Sequence, residues 1–64
     1  MTKHQKNLLK SMKVLGQRNE NAPELEEQEQ DLLYRFLDTL PDNGKSVSLQ
    51  SIADLVNSTE VNSD

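Results

Sequence analysis

The chain is expected to be all-α: three short amphipathic helices, helices 2 and 3 forming an antiparallel pair, helix 1 basic and more loosely attached. Three observations predict this. Apolar residues recur at helical spacing in three separate segments. Proline, glycine and asparagine punctuate the joins, around Gly16 to Pro23 and at Pro41-Asp42-Asn43-Gly44. No segment alternates with period two for long enough to make a strand.

Helix 1 is read from Leu8, Met12 and Leu15, which recur at i, i+4 and i+7 with Leu9 beside them. Thr2 and Gln5 have the spacing of a capping box. Lys3, Lys6, Lys10 and Lys13 form a second stripe roughly opposite the leucines, although Val14 falls on the lysine side. Gly16 is the expected stop, because a residue tolerant of positive φ closes a helix cheaply. The basic helix occupies 1–18 and a polar linker 19–22.

Residues 23–57 are expected to form a helical hairpin core. Pro23 fits the first turn of helix 2, where its missing N–H costs nothing, and Asn21 or Ala22 would precede it. Glu24, Glu26, Glu27 and Glu29 crowd that end and meet the helix dipole favourably. Leu25, Leu32, Leu33, Phe36, Leu37 and Leu40 make the apolar stripe, with solid burial from Leu32 onward. Pro41 pushes Leu40 out of helical geometry. In helix 3, Ser48 is the N-cap and Val47 can staple onto Ile52. Leu49, Ile52, Ala53, Leu55 and Val56 form its apolar face, and 58–64 is expected to be a flexible tail.

Charge is segregated along the 64 residues. Residues 1–18 carry Lys3, Lys6, Lys10, Lys13 and Arg18 and no carboxylate; residues 19–64 hold all 11 carboxylates against Arg35 and Lys45. A net charge of −4 therefore hides a dipolar molecule, which bears on association rather than on fold. A chain this short buries only about 60% of its unfolded surface, so small domains commonly add a disulfide, a metal or a second subunit. There is no cysteine and only His4, so a disulfide is excluded and no metal or cofactor is expected. Self-association or a protein partner is the remaining supplement. No apolar run reaches the length of a membrane span, and residues 1–18 lack the apolar core of a secretory signal; a cytoplasmic location is expected, which removes the meaning of the Asn57-Ser58-Thr59 sequon.

Catalytic patterns are weak. Gly44-Lys45-Ser46 matches only the end of a P-loop: Thr39 stands where that motif needs glycine, and a helix precedes it. Glu24, Glu27 and Asp31 share a helix face, but a straight helix cannot wrap a calcium ion alone. No nucleophile and base can be assembled around His4. No enzyme activity and no small-molecule substrate are expected.

Two readings of function follow. Ser48 to Val56 resembles the first helix of a helix-turn-helix DNA-binding motif, with Ala53 at its close-packed alanine and Asn57 at its left-handed turn residue; Ser58 departs from the apolar residue expected next. That resemblance implies a DNA-associated transcriptional regulator, against which Asp54, Glu60 and Asp64 would repel phosphates. The favoured reading is a small regulatory or adaptor protein acting through helix 1 on an acidic protein partner or on another copy, with nucleic acid ranked behind. Lys3, Lys6, Lys10 and Lys13 would steer, while Leu8, Leu9, Met12 and Leu15 would anchor.

Overall fold

The computed structural model describes residues 1–61, which contain three α-helices and no strand. Helix α1 spans Lys3–Asn19, α2 Glu26–Asp38 and α3 Leu49–Ser58. A single 3₁₀ turn, Pro23–Leu25, leads into α2, and a tight turn at Pro41–Gly44 follows it. The expected tail begins after Ser58, and its residues 62–64 lie outside the described residues.

Helix α1 starts with the capping box anticipated from Thr2 and Gln5. The Gln5 amide donates to Thr2 Oγ1 at 3.1 Å, and the Thr2 amide to Gln5 Oε1 at 2.9 Å. Gly16 is not the stop: the helix continues through it to Asn19, with Arg18 near its negative end. No left-handed residue closes it; Glu20 remains right-handed and its amide bonds Arg18 O. Gly16 instead admits a neighbour, since a Cβ there would sit 3.4 Å from Glu29 Oε1. The linker shrinks accordingly to 20–22.

Helix α2 lacks a side-chain cap, so its start is handed to the 3₁₀ turn, in which the Leu25 amide bonds Ala22 O at 3.0 Å. Its far end is closed by Thr39, whose hydroxyl donates to Phe36 O at 2.6 Å. Leu40 is extended, as the following proline requires. Asp42, Asn43 and Gly44 then take φ of 55°, 55° and 76° in succession. Asparagine and aspartate tolerate that region; at Gly44 it leaves no alternative, because a Cβ would fall 2.5 Å from Leu37 Cδ2. Ser48 caps α3 as expected, accepting from the Ser51 amide at 3.1 Å, and Val47 and Ile52 both join the core.

The three expected helices are present, but they are held together differently. Leu8, Leu9 and Met12 of α1 form the buried centre with Phe36 and Ile52. Helix α1 is thus the hub: it lies closest to α2 and next to α3. Gln5 Nε2 reaches Thr39 Oγ1 at 3.0 Å at one end of the α1–α2 pair, and Asn19 Nδ2 reaches Glu29 Oε2 at 3.0 Å at the other, so the two run antiparallel. The direct pair expected of helices 2 and 3 is replaced by a shared core. Among the described residues no Cα of α2 comes within 8 Å of one in α3. Both lean on α1, which contributes three of the five buried apolar side chains.

Candidate interaction surfaces

The expected anchoring residues are largely unavailable. Leu8, Leu9 and Met12 are 7%, 2% and 4% exposed, packed on Phe36 and Ile52, and Leu15 is half-buried. An apolar stripe can serve a partner only if its own fold leaves it uncovered, and α2 and α3 cover this one. Within this fold those three side chains serve the core.

The lysine stripe divides. Lys13 is half-buried, and its ammonium donates to Asn57 O at 3.0 Å and Thr59 O at 2.6 Å. Asn57 lies in the last turn of α3, where carbonyls lack intrahelical partners and the dipole end is negative, so Lys13 acts as a C-terminal cap supplied by another helix. Ser58 and Thr59 complete that end by donating to Leu55 O. Lys10 is half-buried and engaged within the chain. Lys3 and Lys6 are exposed, and no carboxylate among the described residues pairs with either. The glutamate-rich stretch does not take up Lys3, Lys6 or Lys13: Asp31 pairs with Arg35 at 3.1 Å, and Glu29 with Asn19.

Two surface grooves flank this framework. One runs between α1 and α2, with Val14, Leu15 and Leu32 below, Tyr34 at its edge, and Glu24, Glu27 and Asp31 around it. The other lies over the C-terminal half of α1, between α2 and α3. Met12, Leu33, Ile52 and Val56 form its floor, Glu26 and Glu29 of α2 line it, and Glu20 joins them from the end of α1. On the α3 side stand Leu49, 68% exposed, and Ala53, also exposed. Both were expected in the core, because apolar spacing reports a face without reporting what covers it. The signal present in the sequence is a third helix carrying five apolar residues in ten, more than one neighbouring helix can bury.

The features shared with a helix-turn-helix do not take that form here. Asn57 continues the helix, and the non-glycine residues with positive φ among those described are Asp42 and Asn43. Ala53 faces outward instead of packing against a following helix. Among the described residues no three metal-ligating side chains cluster as an ion site, Glu24, Glu27 and Asp31 included, and no helix is long and apolar enough to cross a membrane. Comparison with protein-family models, with characterised proteins and with solved structures finds no match to this chain.

Proposed function

We propose that this chain is a small, non-enzymatic regulatory or adaptor protein of the cytoplasm that works by protein–protein contact, its basic α1 edge steering an acidic protein partner. The supporting observation is the state of Lys3 and Lys6: both are exposed at the N-terminal end of α1, with no carboxylate among the described residues paired to them. Positive charge at a helix N-terminus is opposed by the dipole, so these side chains gain nothing locally. Their contribution lies in the field presented to an approaching surface, raising association rate more than affinity.

The test is capture from native lysate with and without nuclease, by the parent and by a Lys3→Gln/Lys6→Gln variant. A nuclease-resistant protein partner is expected. Its association with the variant should be slower, at an unchanged melting temperature, and the difference should fade as salt rises. Capture that vanishes with nuclease would replace this reading with nucleic-acid binding. Equal rates for parent and variant at low salt would reduce the two lysines to a solvated face.

A further inference from the structure

We propose that the trough between α2 and α3 is a second interface, of opposite sign to the α1 edge, and that it receives a basic amphipathic helix of a partner protein. This surface is distinct from Lys3 and Lys6, so the inference stands or falls independently of them.

The trough exists because α2 and α3 each pack on α1 and not on each other. Helices in direct contact lie about 8–10 Å apart between axes, which brings backbone atoms closer than those of α2 and α3 come. The space of about 620 Å³ between them is open to solvent yet floored by core side chains, Met12 and Ile52, with the half-buried Leu33 and Val56. Leu49 and Ala53, one helical turn apart on α3, extend the apolar surface up one wall. Three helices around a shared core thus leave a fourth position unfilled.

Charge selects the occupant. Glu26 and Glu29 of α2 and Glu20 at the end of α1 line the trough, and its lysine, Lys13, already donates to two α3-end carbonyls. An entering segment therefore needs an apolar face for the floor and lysines or arginines for the wall. It also needs its own backbone hydrogen bonds satisfied, since among the described residues there is no strand edge to extend. A helix with anchors at i, i+3 or i+4, and i+7 meets all three conditions. A second copy of this chain does not. Its one lysine-bearing helix has its apolar side buried, and residues 19–64 contain only Arg35 and Lys45 as cations.

The experiment titrates the full ¹⁵N-labelled chain with three synthetic peptides of equal length. One places leucines on a helical face flanked by lysines, one reorders the same residues to abolish that face, and one replaces lysine by glutamate. The first should shift the amides of Leu49, Ala53, Val56 and Glu26 saturably. It should bind at least tenfold more tightly than the other two at low salt. Leu49→Asp should weaken it severalfold without moving the melting temperature, and Glu26→Gln should weaken it severalfold with only the slightly lower melting temperature that loss of a charge at the start of α2 brings. Both positions are exposed, and an aspartate at the first residue of α3 suits the helix dipole. Equal binding of the reordered peptide, or shifts confined to Lys3 and Lys6, would overturn the assignment. So would a parent dimer that Leu49→Asp converts to monomer in sedimentation, because a second copy would then cover the trough.

Discussion

Helices α1 and α3 look alike as patterns, each an apolar stripe with a polar back, yet they have opposite fates. Three side chains of the α1 stripe are buried, and its outward face carries cations. The α3 stripe buries Ile52 alone, half-buries Leu55 and Val56, and leaves Leu49 and Ala53 in water. The difference lies in the neighbours: α1 is flanked by two helices, α3 by one. Even the end of α3 depends on α1, through Lys13. Amphipathicity therefore predicts which face is apolar, while burial is decided by the number of elements that reach it.

Core truncation should expose this contrast most sharply. Phe36 and Leu9 are the two most enclosed side chains, 1% and 2% exposed. Phe36→Ala is expected to cost about 3–5 kcal/mol and Leu9→Ala about 2–5 kcal/mol, from lost burial and the cavities left. A chain of this size has a total stability of only about 3–10 kcal/mol, so circular dichroism should find either variant largely unfolded at modest temperature. A Leu9→Ala variant that melts like the parent would remove α1 from its place as hub.

The turn between α2 and α3 comes next. Gly44→Ala places a methyl group into Leu37 and holds alanine at φ 76°. Left-handed strain of about 1–2 kcal/mol and overpacking of about 1–3 kcal/mol predict a loss of roughly 2–5 kcal/mol in chemical denaturation. A small effect would mean that the turn relaxes without disturbing α2, and that α3 is positioned by α1 alone.

How much of this was legible in the sequence depends on whether the cause is local. Thr2 with Gln5, Ser48 with Ser51 and the extended Leu40 before Pro41 are short-range features, and each appears where residue chemistry places it. Gly16 misled because glycine is a plausible helix end and an equally plausible point of close approach; the approaching group, Glu29, comes from another helix. Lys13 misled similarly, since its partners lie 44 and 46 residues away. The groove between α2 and α3 required knowing that those helices stand apart on α1, a tertiary fact that periodicity does not encode.

Lys13→Gln tests that long-range dependence at moderate size. Glutamine keeps most of the stem but loses the charge facing the α3 carbonyls, which predicts a loss of about 1 kcal/mol at this partly solvated site. Hydrogen exchange should localise it: amides of the last turn of α3 should lose protection while those of α1 hold. Uniform loss along the chain would point to the lysine stem packing in the core instead.

Gly16→Ala should move stability the other way. Alanine is favoured over glycine inside a helix by about 0.5–1 kcal/mol. The added methyl meets only the end of the Glu29 side chain, its Oε1 at 3.4 Å. A gain of roughly 0.5 kcal/mol is expected, visible as a slightly higher melting temperature. A loss would mean that Glu29, held by Asn19, cannot yield, and that the α1–α2 contact is stiff at this point.

The smallest effect is expected at Leu49, and it bears most directly on the contrast between the helices. Leu9→Ala and Leu49→Ala delete the same atoms from helices of similar pattern, so the comparison isolates burial. Leu49 is 68% exposed at the first residue of α3, where the N-cap is supplied by Ser48 and not by Leu49 itself. Truncation leaves no cavity, and alanine is at least as good a helix former, so the change should stay within about 0.5 kcal/mol of zero. Equilibrium denaturation of the isolated chain measures it. A cost approaching that of Leu9→Ala would show that Leu49 is covered in solution, most simply by association, and concentration dependence of the melting temperature would then separate association from a rearranged α3. A null result in the isolated chain, paired with weakened binding of the basic amphipathic peptide, would establish that this leucine serves contact and not folding.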